Sequence, residues 1–169
     1  MPRVILCLSC PMNATPISPE EVLAKFTLSA TEFITTARAI PAQDLHKNPI
    51  IGQWSPAFVL HHMCDGDLHF TTRFLNCLAE DNPAIFPFEE EIYPLRLNYE
   101  KRDPMASLAS IEGNFVAAKN ILSLISESDW QRTSVHTERG EIRLLELVSI
   151  SAGHSEAHRG QLEEIVAAL

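Results

Sequence analysis

Positive charge is the first thing in short supply. Thirteen Lys and Arg stand against 22 Asp and Glu in 169 residues, a formal net charge of −9, and the basic residues are scattered. Nucleic-acid affinity rests on grouped Lys and Arg that neutralise phosphates, so this balance argues against a nucleic-acid partner. Long apolar runs are missing as well. No stretch approaches the ~18 to 20 apolar residues that span a bilayer, so no membrane association is expected. Cysteine is limited to four residues. Cys7 and Cys10 make a single Cys-x-x-Cys pair with no second pair and no strand-helix context after it, so neither a redox nor a zinc site is expected there. Cys64 and Cys77 fall in apolar-periodic sequence and read as small buried hydrophobes. There is also no glycine-rich phosphate loop, no serine in a strand-turn-helix elbow and no pair of carboxylates on one inward helical face. If the chain is an enzyme, something other than a protein nucleophile must carry the activation.

What is present supports one soluble domain. Hydrophobic residues make up 46% of the chain, enough for a core and too many for wholesale disorder. A chain of this size buries roughly two thirds of its unfolded surface and needs no disulfide staples. At the N-terminus, the apolar run Val4 to Leu8 is shorter than the ~7 to 15 residues of a signal peptide's central region. A lipoprotein signal ending at Cys10 matches no better, and a cytoplasmic protein is expected. Met12-Asn13-Ala14-Thr15 reads like a natural start, so residues 1–14 are expected to form an N-terminal arm and residues 15–169 the domain.

Four helical segments organise the domain. Ser18-Pro19-Glu20-Glu21 is a helix start, with a Ser cap, Pro in the first turn and acids near the positive end of the dipole. Val22, Phe26, Ser29/Ala30, Phe33 and Ala37 then keep the 3.6-residue period to about Ile40, before Pro41. Ser55-Pro56 repeats the signal and opens a second helix to about Glu80. Asp81 to Asp103 is a proline-rich connection, longer than most and therefore expected to be functional or to cross the domain. Asp103-Pro104 opens a third helix through Leu108, Ile111, Phe115, Ala118, Leu122 and Ile125. A turn-rich excursion from Glu127 to Glu141 leads into a last helix from about Ile142 to Ala168. Alternating apolar-polar runs are nearly absent. The expectation is an all-α four-helix bundle with a long connection between helices 2 and 3.

The chemistry lies in the seven histidines. In the last helix, Leu144, Leu147, Ser151, His154, His158, Gln161 and Ile165 form one inward stripe. His154 and His158, at i and i+4, project from one face a turn apart, where two imidazoles can chelate one metal ion. By itself such a pair is also compatible with a solvated surface. The second helix carries Val59, His62, Gly66 and Phe70 along its core stripe, and Gly66 leaves room one turn beyond His62. Three imidazoles buried at converging places each carry a donor and an acceptor that need partners, and a metal answers that need. Three neutral His ligands leave positions on the ion open, either for a water activated toward a carbonyl or phosphoryl centre or for a thiolate aimed at an electrophile.

These residues also match a family pattern. Trp54-Ser55-Pro56, the apolar turns to His62 and then Asp65 resemble the second-helix signature of the DinB-like superfamily of metal-binding four-helix bundles. His154-Ser155-Glu156-Ala157-His158-Arg159-Gly160-Gln161-Leu162 is similar to that family's closing His-x-x-x-His-x-x-Gln-Ile/Leu motif. The excursion from Asp129-Trp130 to Gly140-Glu141-Ile142 resembles the loop that enters its last helix. The resemblance covers the chain from about residue 15 onward. It implies that His62, His154 and His158 ligate a divalent metal ion, zinc or nickel first, iron or manganese next. His61 is the competing neighbour of His62, about 100° away around the helix; its spacing from Trp54 makes His62 the better match.

The resemblance further implies a metal-dependent enzyme acting on a small molecule, either a hydrolase or a thiol S-transferase using a low-molecular-weight thiol. The alternative is a non-catalytic metal-binding stress-response bundle. A homodimer is expected on the same ground. Asp65, Gln161 and His136 are candidates for support of the site, Asp65 by orienting His62 and His136 as a mobile fourth group at the mouth. Trp54 is expected to close the bundle end, His69 to extend the pocket if it contributes at all, and Arg73 to supply local positive charge. His46 is assigned no role.

Overall fold

In the computed structural model, which describes residues 18–169, three of the four long helices begin with the same local chemistry. Ser18 caps α1 (Pro19–Arg38), accepting from Glu21 N–H at 3.2 Å while Glu21 accepts from Ser18 N–H at 2.8 Å. Ser55 accepts from Phe58 N–H ahead of α2 (Pro56–Ala79), and Asp103 accepts from Met105 N–H at 2.9 Å ahead of α4 (Pro104–Leu124). In each case proline occupies the first turn, where its missing N–H leaves nothing unsatisfied. The fourth long helix, α5 (Leu144–Ala167), starts differently: Glu146 reaches back to accept from Arg143 N–H at 2.9 Å. The α1 residues Val22, Phe26, Ser29, Ala30, Phe33 and Ala37 are buried.

The all-α expectation needs correction. The connection after α2 and the excursion before α5 meet as a three-stranded sheet of β1 (Ala84–Ile85), β2 (Thr133–His136) and β3 (Gly140–Arg143). β1 runs parallel to β2, with Val135 N–H donating to the Pro83 carbonyl at 2.9 Å, and β2 and β3 pair antiparallel with Thr133 opposite Arg143. Gly140 adopts a φ of 77°, a left-handed conformation that glycine takes without steric cost, where the hairpin turns. β3 passes directly into α5, so the last helix begins at Leu144 rather than Ile142. The connection holds three further short pieces: a 3-10 turn at Glu90–Ile92, the single-turn α3 (Tyr93–Arg96), and a 3-10 turn at Tyr99–Lys101. Cys7, Cys10 and the proposed arm lie outside the described residues.

The long helices form a bundle in which α1 packs mainly along α5 and α2 along both α4 and α5. Two apolar clusters fill it. One contains Phe26, Phe70, Phe74, Leu122, Trp130 and Val148, and the other Phe33, Leu60, Met63, Ile111, Leu162 and Ile165. Cys77 belongs to the first and Cys64 to the second; both are free thiols. Between the clusters, the histidines of α5 and the polar positions of α2 make a polar waist.

Candidate metal centre

The waist is built from two helices. On α2, His62 is 2% exposed and points toward α5, which presents His154 and His158 one turn apart. Each of the three residues offers a ligand atom, all within 4.8 Å of one another, and they are the one such group among the described residues. The ring centroids of His154 and His158 are 4.5 Å apart, and His62 is 4.6 Å from His158 and 5.1 Å from His154. Gly66 makes the convergence possible: a Cβ there would stand 3.1 Å from His154 Cε1.

The electrostatics keep the rings neutral. Burial, reinforced by His158, pushes the His62 imidazole down to about 3. Burial pushes His154 well below its ordinary value, with smaller contributions from His158 and His62. Burial also lowers His158, partly offset by its bond to Gln161. Neutral imidazoles keep a lone pair, which is the form that binds metal. His158 Nδ1 donates to Gln161 Oε1 at 2.8 Å, which leaves Nε2 as the acceptor.

This donor set suits a divalent cation. Nitrogens ~2.0–2.1 Å from one tetrahedral ion stand about 3.3 Å apart, and His62 Nε2 and His154 Nε2 are 3.1 Å apart. Two imidazole nitrogens at that separation either share one proton or face a common cation.

The other residues singled out from the sequence fall in different places. His61 faces away from the waist, Nδ1 at 2.8 Å from Ser107 Oγ and the ring edge-on to Tyr99. Asp65 is turned from His62: its carboxylate accepts from Tyr99 Oη at 2.7 Å and from Arg102 Nη1 at 2.8 and 3.0 Å. His136 lies in β2, 8% exposed, its Nδ1 accepting from Glu138 N–H, so strand pairing takes the freedom that a loop position would have allowed. Trp54 packs its ring 5.1 Å from that of His62. His69 stacks on Phe88 at 4.1 Å and contacts Tyr93 Oη at 2.9 Å. The Arg73 guanidinium lies over Phe70 and Phe88 and donates to the Phe86 carbonyl. His46 is exposed.

One neighbour of the imidazoles escapes sequence reasoning. Glu90, in the 3-10 turn of the connection, places Oε2 3.8 Å from His62 Nε2. Burial, then the charge of Glu91, raises its carboxyl above the usual range. The run Glu89-Glu90-Glu91 reads as a solvated loop, and the only available signal was its position inside a long connection. Glu89 and Glu91 are exposed, whereas Glu90 is half-buried.

Comparison with known proteins follows the same lines. The model of the DinB superfamily matches residues 18–162. A Bacillus mycoides (strain KBAB4) protein provisionally named a metal-dependent hydrolase is 25% identical over 151 residues, covering 86% of each chain. YfiT from Bacillus subtilis, described as a probable metal-dependent hydrolase with an unusual four-helix bundle topology, aligns with a TM-score of 0.79 at 19% identity, covering 94% of this chain and 91% of its own. The mycothiol-dependent maleylpyruvate isomerase aligns with a TM-score of 0.69 at 14% identity, covering 86% of this chain and 61% of its own. At these identities the two solved structures share a fold with this chain.

Proposed function

The chain belongs to the DinB superfamily, and on that premise we propose that it is a metal-dependent hydrolase of a small molecule, with His62, His154 and His158 holding one divalent cation. The observation that carries the reading is the convergence of three neutral imidazoles in a partly buried waist, with the Nε2 atoms of His62 and His154 3.1 Å apart. Imidazole donors favour zinc or nickel, with iron or manganese next. Bound there, the cation supplies Lewis-acid activation of water and of a carbonyl or phosphoryl group.

The chain's own residues hold and shape the site. Gln161 fixes the tautomer and orientation of His158. Gly66 leaves the space that the His154 ring occupies, and Phe70 packs 5.7 Å from that ring. Trp54 packs against the His62 ring on one side. The name of the Bacillus mycoides relative supports hydrolysis over thiol transfer.

Metal analysis of protein purified without a nickel column tests the reading. One ion per chain is expected in the wild type and none in His158→Ala; retention of stoichiometric metal by that variant defeats the triad. Metal-dependent cleavage of members of an ester and amide panel then supports hydrolysis. Metal-dependent conjugation of a low-molecular-weight thiol to monochlorobimane identifies a thiol S-transferase instead. A loaded protein inert in both assays is a non-catalytic metal-binding bundle.

A further inference from the structure

We propose that Glu90 is a fourth protein ligand of the ion held by His62, His154 and His158, delivered to the bundle by the connection after α2. The inference rests on the metal reading above and extends it to a residue outside the four long helices. Glu90 Oε2 lies 3.8 Å from His62 Nε2, the nitrogen that also faces His154 Nε2 at 3.1 Å. Adjacent ligand atoms around one ion are about 3 Å apart, so the carboxylate lies just beyond ligating range. Its oxygens are outside the mutual 4.8 Å group of the three histidines, so ligation takes a rotation of the side chain toward them. Nothing holds the carboxylate back, since it makes no hydrogen bond among the described residues.

The approach of Glu90 is built into the fold. Phe88 and Tyr93, on either side of it in the connection, both rest on His69, one by stacking at 4.1 Å and the other by a 2.9 Å hydrogen bond. Arg73 secures the same stretch through the Phe86 carbonyl at 2.9 Å. Both anchors belong to α2, the helix that carries His62, and Glu90 is suspended between them. A half-buried carboxylate beside neutral imidazoles is costly unless a cation faces it. Three neutral donors leave the ion's double charge uncompensated, and one carboxylate halves it. An ion that accepts five or six donors keeps positions for water and substrate beside this set.

Cobalt(II) titration of the metal-free full-length protein, followed by visible absorption, tests the assignment without any substrate. Glu90→Gln is expected to weaken Co(II) binding by about ten-fold or more and to change the position and intensity of the d–d bands. Glu91→Gln, altering an exposed neighbour of equal charge, is expected to leave both unchanged. Circular dichroism of the metal-free variants shows that each is folded. If Glu90→Gln binds Co(II) with wild-type affinity and spectrum while His158→Ala loses it, Glu90 is not a ligand and the triad stands. If His158→Ala binds as wild type does, the triad itself fails. A shift in affinity with an unchanged spectrum also overturns ligation, because it places the carboxylate outside the coordination sphere.

Discussion

At the scale of single residues, small side chains decide how the waist works. Gly66 is the sharpest case, because Ala is worth up to ~1 kcal/mol more than Gly inside a helix yet its Cβ would meet His154 Cε1 at 3.1 Å. Gly66→Ala is therefore expected to leave the thermal midpoint of the metal-free protein unchanged or raised, while metal affinity falls by roughly an order of magnitude. Calorimetric titration beside a melting curve reads the two effects separately, and equal affinity would show that the ring is positioned by something else. Asp67 makes an opposite kind of statement. Its carboxyl lies among Phe26, Thr71, Phe74 and Ser155 around a small cavity, and burial pushes it up to about 7. A carboxyl raised above its unfolded value near 3.8 takes stability away as pH rises from about 4 to 7, and the loss is complete above 7. Asp67→Asn should stabilise the protein relative to wild type at pH 8 and do little at pH 4, as denaturant melts at the two pH values would show.

At the scale of elements, the connection from Asp81 to Asp103 emerges as a structured strap. One end pairs through β1 with β2, the middle rests on His69, and the far end is clamped by Tyr99 and Arg102 on the Asp65 carboxylate. Tyr99 is fully buried, edge-on to both Phe58 and His61. Asp65 therefore ties the strap to α2 and does not orient His62. Asp65→Ala leaves a guanidinium and a phenol without their acceptor and is expected to cost about 2–4 kcal/mol in urea unfolding, with metal affinity changed less than about two-fold. A large loss of affinity with little loss of stability would return Asp65 to the role expected of it from sequence. The cap signals at Ser18, Ser55 and Asp103 were legible because capping is a contact between residues two or three apart. The sheet was not: β1 is two residues long, too short to alternate, and its partner lies some fifty residues away.

For the whole molecule, histidines buried in the neutral form couple folding to acidity. His62 is lowered to about 3 and His61 to about 4, each chiefly by burial, against about 6.5 when unfolded. Below 6.5 the unfolded chain binds protons that the folded chain refuses, so stability is full above that value and falls as pH drops toward 4. Chemical denaturation of metal-free Asp67→Asn, which lacks the carboxyl that titrates in the opposite sense, should show this decline between pH 6.5 and 4; flat stability across that window would mean that burial does not hold the rings neutral. A ligand that binds only the folded state stabilises it by about 2.7 kcal/mol at a hundred times its dissociation constant. The difference in melting midpoint between metal-loaded and metal-free protein is accordingly expected to be large and to stay nearly the same from pH 7.5 to pH 5.5, because burial keeps the folded imidazoles unprotonated across that range.

The sequence by itself determined what depends on neighbours along the chain. Three of the four long helices start where their caps and prolines stand, and His154 and His158 share a face because the helical period puts i and i+4 together. The inward stripe of α1 was readable for the same reason. Only the tertiary structure decided what depends on neighbours across the fold. His61 and His62 are adjacent and chemically identical; Ser107 and Tyr99 draw the first one way, while the second meets α5. Glu90 comes within 3.8 Å of His62 because Phe88 and Tyr93 dock on His69, and nothing in a run of three glutamates distinguishes the middle one. Covalent periodicity carries information over a few residues, whereas packing selects among equivalent side chains only after distant segments have met.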